Sequence, residues 1–274
     1  MVPAPSDGTR VIHFPDRRHL KRLLAPGSVV GRYELVRELG SGGAGTVFEA
    51  VFHGPAGFAK SVALKVVDHE HEALIREARL GAQLHHPNLV DVYALEEADG
   101  VWHLAMELVT GGSLRDLRPL PPRAAVEAVI QACAGLAYAH DAIGLVHMDI
   151  KPANLLLQGA NVKVADLGIA HARGFLHDGQ LRGTPSYVAP ETLARRPVDG
   201  RADVWAIGVV LIELITGRAS LDPAMVPSLR PVLERCLTPD PAGRMASVAD
   251  VGAALEALSL PGPGLVEVVD ARRR

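Results

Sequence analysis

From residue 32 the chain alternates apolar and polar side chains in short runs. YELVRELG (33–40), TVFEAVFH (46–53) and SVALKVVD (61–68) read as half-buried strands, and turns rich in Gly or Pro separate them as a meander requires. EALIREARLGAQL (72–84) changes period, with Leu74, Ala78 and Leu84 falling roughly on one helical face. LVDVYALEE and VWHLAMELV return to strand spacing and meet at Asp99-Gly100, a hairpin signal. Ser113 followed by Asp116 reads as a helix capping box. Beyond it helical spacing prevails, at 122–142, 203–217, 229–238 and 246–258. The pattern predicts an α+β chain with a β-rich first third and a helical remainder, joined near residue 109.

Composition sharpens this picture. An apolar content of 48% permits a sizeable core, and 4% aromatics make it mostly aliphatic. A net charge of −3 gives no bulk attraction to nucleic acid or membrane, and neither is expected as a partner. Residues 1–30 mix Pro, Gly and charge, basic on balance through Arg10, Arg17, Arg18, Lys21 and Arg22, and read as a flexible arm. Residues 259–274 read as a C-terminal tail. Cys133 and Cys236 lie in helix-like apolar runs and read as buried thiols of a reducing compartment. The opening MVPAPSDGTR lacks the apolar core of a signal peptide. AIGVVLIELI (206–215) carries Glu213 and is too short to span a bilayer, so it reads as a core helix. The expectation is a soluble, cytoplasmic protein.

Candidate chemistry begins at LGSGGAGTV (39–47), a G-x-G-x-x-G-x-V pattern on Gly40, Gly42 and Gly45. Glycines there let backbone N–H groups approach an anion closely, although a plain flexible hairpin turn fits the same residues. The loop joins two strands with no helix after it, which argues against a dinucleotide fold or a Walker loop. Twenty residues after Gly45 stands Lys65, in VALK (62–65), among apolar strand residues. A cation buried there needs anionic partners, a phosphate and a carboxylate. Glu77 and Glu72 compete as the carboxylate, and the position of Glu77 nine residues before His86 in HHPN favours it. LVHMDIKPANLLL (145–157) then sets Asp149, Lys151 and Asn154 in an otherwise apolar stretch.

GSGGAGTV, VALK, HMDIKPAN, DLG (166–168), GTPSYVAPE (183–191), DVWAIG (203–208) and DPAGR (240–244) resemble the protein-kinase motifs in order and approximate spacing. Over 31–258 the chain is similar to eukaryotic-type (Hanks-type) serine/threonine protein kinases of the kind many bacteria carry. The resemblance implies a bilobal protein-kinase-like fold, with a small β-rich N-lobe (31–108) and a larger, mainly helical C-lobe (110–258). It implies ATP-dependent transfer of the γ-phosphoryl group to a protein hydroxyl. In that scheme Asp149 orients the hydroxyl and Lys151 neutralises the transferred group. Asn154 and Asp166 hold Mg²⁺, or Mn²⁺ in its place, and Lys65, steadied by Glu77, grips the α- and β-phosphates.

Leu39, Gly40, Ser41, Gly42, Gly43, Ala44, Gly45, Thr46 and Val47 would cover the nucleotide. Val47, Ala63 and Leu156 resemble the adenine sandwich, Met106 the gatekeeper, and Glu107 and Val109 the hinge. Thr184 belongs to the substrate-facing loop, and with Lys151 it resembles the serine/threonine rather than the tyrosine branch. His147 reads as a packed core residue, Asp203 as the anchor of the catalytic-loop backbone, and Glu191 as the partner of Arg244. The remaining histidines show no ligand spacing and read as solvated surface residues.

Two departures qualify the resemblance. Met148 stands where regulated members carry the Arg that binds a phosphorylated activation segment, and residues 169–183 hold no Ser, Thr or Tyr. Together these point to a segment ordered without phosphorylation. ASLDPAMVPS (219–228) leaves no room for a helix the family places there, which points to a regulatory protein partner covering the exposed floor. The alternative reading is an ATP-binding pseudokinase or partner-dependent scaffold.

Overall fold

The computed structural model describes residues 10–11, 24–42, 45–67, 71–98, 100–166, 171–172 and 185–273. They form two compact units, Met1–Ala82 with Asp91–Leu108 and Gln83–Val90 with Val109–Arg274.

The first unit is built on a sheet of β1 (Arg10–Val11), β2 (Ser28–Val30), β3 (Tyr33–Gly42), β4 (Gly45–His53), β5 (Ala59–Val67), β6 (Val92–Ala98) and β7 (Val101–Met106). Its spatial order is β1-β2-β3-β4-β5-β7-β6. Neighbours from β2 onward are antiparallel, and β1 runs parallel to β2. The period-two alternation buries one face, where Leu35, Phe48, Ala50, Val62, Leu64 and Val66 pack together. Leu24 and Val30 join that core, so the packed unit begins inside the stretch that sequence alone reads as a flexible arm.

Helix α1 (His71–Gly81) packs Leu74 and Ala78 against Val67 and Leu104. It stops three residues short of the expected end, and Leu84 falls in the other unit. β6 is likewise shorter than LVDVYALEE suggests, because Leu89 pairs instead with Val164 in an isolated parallel bridge.

The second unit is mainly helical: α2 (Leu114–Leu117), α3 (Pro122–Ile143), α4 (Pro190–Leu193), α5 (Arg201–Thr216), α6 (Arg230–Cys236), α7 (Val248–Glu256) and α8 (Leu265–Arg273). Pro at the first turn of α3 supplies a helix-compatible φ, and Gly144 at φ 63° ends it in the left-handed conformation. α5 is buried on nearly all sides, as its unbroken apolar run demands. The unit also holds two antiparallel strand pairs, β9 (Leu155–Gln158) with β10 (Asn161–Val164) and β8 (Leu145–Val146) with β11 (His171–Ala172). Residues 223–225 and 227–229 form single 3₁₀ turns that lead directly into α6. The residues read as a C-terminal tail contain α8, which packs on α3 through buried Leu265 and Val269.

Candidate active site

In the β-rich unit the Gly-rich stretch is the tip of the β3–β4 hairpin, paired down to Gly42 opposite Gly45. Gly43 and Ala44 lie outside the described residues. Gly45 has φ +120°, and a Cβ there would sit 2.6 Å from the Val66 carbonyl oxygen, so this position requires glycine. The Ser41 and Thr46 hydroxyls lie 3.1 Å apart across the hairpin, while Leu39, Gly40 and Gly42 face solvent. Val47 pairs with Lys65, and Ala63 with Met106, on successive strands. The Glu107 N–H donates to the Asp91 carbonyl at 2.9 Å.

Lys65 lies on β5 and Glu77 on the buried face of α1. The Lys65 ammonium donates to Glu77 Oε2 at 2.7 Å, and both residues are about 95% or more shielded. Glu72 is exposed, so the carboxylate competition resolves to Glu77. Removing one partner of such a buried pair costs about 3–5 kcal/mol, because the other ion is left in a poor solvent.

In the helical unit the loop after β8 is held from below by Asp203, which is fully buried in the first turn of α5. Its Oδ2 accepts from the His147 N–H at 2.8 Å and contacts His140 Nε2 at 2.8 Å, and its Oδ1 accepts from the Met148 N–H at 2.9 Å. Burial opposes the charge on Asp203, but the hydrogen bond and charge of His140, with the contributions of His147, outweigh it and hold the carboxyl below its ordinary range. Met148 has φ +66°, a conformation that costs a non-glycine residue about 1–3 kcal/mol. The Asp203 tie offsets that strain and turns Asp149 into position.

Asp149 is 8% exposed. Its Oδ2 accepts from Lys151 Nζ at 2.6 Å and from Asn154 Nδ2 at 3.1 Å, and Asn154 Nδ2 also donates to the Asp149 carbonyl at 2.9 Å. Its Oδ1 is buried with no hydrogen-bond partner among the described residues. The Asn154 carbonyl accepts from the Ala165 N–H at 2.9 Å, which brings the backbone of Asp166 alongside; Asp166 itself has φ +65°. His147 Nε2 donates to the Ala165 carbonyl at 3.1 Å while its Nδ1 accepts from the Asp149 N–H at 3.3 Å, fixing the tautomer of this fully buried ring.

The amide oxygen of Asn154 and the carboxylate of Asp166 are hard donors suited to Mg²⁺. Among the described residues no cluster of three or more His, Cys, Asp or Glu side chains could cage a metal by itself.

Leu156 lies half-buried on β9, and Val109 is half-buried at the start of the second unit's main segment. Thr184 and the segment 173–183 lie outside the described residues. Farther down, Arg244 forks onto both oxygens of Glu191 at 2.8 and 2.9 Å. Glu213, the charge inside the apolar run of α5, takes hydrogen bonds from Arg118 and from the Tyr187 hydroxyl. Nothing in their spacing announced Arg118 or His140. The expectation that the remaining histidines are surface residues fails for two among the described residues: His103 is completely buried, and His140 packs against Asp203 with its side chain 11% exposed. Buried His103 carries a depressed pKa, caused chiefly by desolvation. The buried thiols are unpaired, and desolvation pushes that of Cys236 up to about 12. No described helix is long and apolar enough to cross a membrane.

Residues 33–225 match the family model described as protein kinase domain, and the chain belongs to that family. It is 39% identical to the serine/threonine-protein kinase PknJ of Mycobacterium tuberculosis, over 72% of this chain and 36% of that protein. It is also 37% identical to the tyrosine-protein kinase MasK of Myxococcus xanthus, over 68% of this chain and 33% of that protein. The chain thus spans about a third of the length of these relatives. The crystal structure of a point mutant of the Mycobacterium tuberculosis PknI kinase domain superposes with a TM-score of 0.67 at 33% identity, covering 85% of this chain and 98% of that one. The fold is that of the protein kinases, with a β-sheet N-lobe and a helical C-lobe.

Proposed function

We propose that this domain transfers the γ-phosphoryl group of ATP to serine or threonine hydroxyls of proteins. One observation carries the reading. Asp149 has Oδ2 occupied by Lys151 and Asn154, whereas its buried Oδ1 has no hydrogen-bond partner among the described residues. An unpartnered carboxylate oxygen is costly in the free protein and accepts a hydroxyl hydrogen at once when a substrate arrives. As the hydroxyl oxygen bonds to the γ-phosphorus and ADP departs, its proton passes to Asp149. Lys151, already beside that carboxylate, faces the charge on the transferred group. Lys65 engages the α- and β-phosphates from its ion pair with Glu77. Asn154 and Asp166 would hold Mg²⁺, which supplies charge neutralisation to the phosphates when bound.

The choice of Ser/Thr over Tyr rests on Lys151, two residues after Asp149, and on Thr184. MasK is named a tyrosine kinase, so the acceptor is the point to test. Transfer from labelled ATP to a mixed protein substrate, followed by acid hydrolysis, should yield phosphoserine and phosphothreonine. Phosphotyrosine as the main product would overturn the acceptor assignment. The activity is also expected without phosphorylation of the activation segment, since Met148 offers a phosphate no hydrogen bond and its N–H is committed to Asp203. A phosphate on Thr184 or Ser186 required for activity would contradict that.

A further inference from the structure

We infer that the C-terminal helix α8 positions the nucleotide-facing edge of the helical unit, and that Arg272 is the residue through which it acts; this rests on the kinase reading above. α8 lies beyond the segment matched by the family model. It is nevertheless fastened at both ends. Leu265 and Val269 are buried, the Leu265 N–H donates to Glu127 Oε2 at 2.7 Å, and the Gly264 N–H donates to Glu267 Oε2 at 2.7 Å. These bonds satisfy amide donors that a helix start leaves open.

At the other end Arg272 donates from Nη1 to the Asp116 carbonyl at 2.8 Å and from Nη2 to the Leu117 carbonyl at 2.9 Å. Those carbonyls terminate α2, a single turn with no helical acceptor role left for them and too short to persist on its own. The rigid guanidinium fork spans both. The start of α2 is closed by Asp116, whose Oδ2 accepts from the Ser113 N–H at 3.0 Å and the Ser113 hydroxyl at 2.6 Å. Ser113 then bridges Leu156, while the Gly111 N–H donates to the Leu157 carbonyl at 2.8 Å and the Leu157 N–H to the Gly112 carbonyl at 2.9 Å. Hydrogen bonds linked by short stretches of backbone therefore join Arg272 to Leu157, beside Leu156, and to the segment that follows Val109.

A cavity of about 290 Å³, lined by Thr110, Gly111, Leu157, Val269 and Arg272 among others, lies where α8 faces residues 110–111. The polar tie spans what apolar contact leaves open. Arg273, one residue on, lines the same cavity but has no hydrogen bond or ion pair among the described residues, and so provides a control that removes an equal charge from the cavity wall while leaving the fork intact.

The test uses the whole chain as wild type, Arg272→Ala, Arg272→Lys and Arg273→Ala, each checked for folding by thermal melting. The readouts are Mg·ATP affinity by calorimetry and KM for ATP against kcat on a generic protein substrate. Arg272→Ala should weaken ATP binding and raise its KM roughly three- to tenfold, the scale of part of a charge-assisted hydrogen-bond pair. Its kcat should hold within about twofold, as expected when binding is lost in ground and transition state alike. Arg272→Lys should fall between, since an ammonium cannot fork onto both carbonyls, and it keeps the test valid should the alanine variant fail to fold. Arg273→Ala should match wild type. Equal effects at 272 and 273, or unchanged ATP affinity in Arg272→Ala or, if that variant does not fold, in Arg272→Lys, would overturn the inference while leaving the kinase reading intact. A wild-type protein that binds no ATP would overturn both.

Discussion

Asp203→Asn is nearly isosteric, so it opens no cavity and isolates one electrostatic element. In the native protein the two carboxylate oxygens serve His140 and the N–H groups of His147 and Met148, all within 2.8–2.9 Å. Asparagine retains one acceptor oxygen. If it faces His140 and His147, its amide meets the Met148 N–H, donor against donor. The loss is one charge-assisted bond, about 1.5–3 kcal/mol, and the remaining contacts lose the benefit of the charge, so about 3 kcal/mol in total is expected. The strained backbone of Met148 then has nothing to offset its φ of +66°, and Asp149 moves with it. Urea unfolding near neutral pH should show the stability loss, and phosphoryl transfer should fall at least about tenfold in kcat, since misplaced catalytic groups are costly. A variant less than about 1 kcal/mol destabilised, with kcat within about threefold of wild type, would refute the argument that Asp203 sets the loop.

Gly111→Ala should destabilise the fold by more than about 1 kcal/mol in the same unfolding assay, because its Cβ would lie 2.2 Å from the Leu157 carbonyl oxygen; an unchanged midpoint would count against the close approach. Glu77→Gln removes the carboxylate charge 2.7 Å from the buried Lys65 ammonium, and should both lower stability by up to about 3 kcal/mol and weaken ATP binding; ATP affinity equal to wild type would contradict the role given to the pair. Stability should also fall with acid in two stages. Desolvation depresses the pKa of His103 and His86, so the unfolded chain protonates first and stability drops once the pH passes below about 6.5. Asp203, held below its ordinary range, contributes fully above its unfolded pKa of about 3.9 and loses that contribution as the pH falls through the lower folded value. Melting temperatures that stay flat from about pH 7.5 to 4 would contradict the histidine assignments, and stability that stays flat on further acidification, below about pH 4, would contradict that of Asp203.

Much of the fold was legible because period-two and helical spacing are local properties that packing then honours. β3, β4 and β5 fall where alternation places them, and α5 is buried as its apolar run requires. Boundaries drifted where a long-range partner intervened: Leu89 left its strand to pair with Val164, and Leu24 joined a core that composition had excluded it from. The Lys65–Glu77 pair was foreseeable because a lysine in a buried strand demands a counter-ion. His140, Arg118 and Arg272 were not. Each matters through a contact with a residue tens of positions or more away, His140 with Asp203, Arg118 with Glu213 and Arg272 with Asp116, and nothing in their immediate neighbours signals it.

The measurement closest to the central claim compares wild type with Asp149→Asn in transfer of labelled γ-phosphate from Mg·ATP to a protein substrate, with ATP affinity measured alongside. The account predicts robust transfer by the wild type and loss of at least about a hundredfold in the variant, with ATP affinity within about threefold, because general-base and positioning contributions vanish while nucleotide contacts remain. Equal transfer by both proteins would contradict the role of Asp149. ATP binding without transfer by the wild type would mark the chain as a nucleotide-binding relative of the kinases instead of an enzyme.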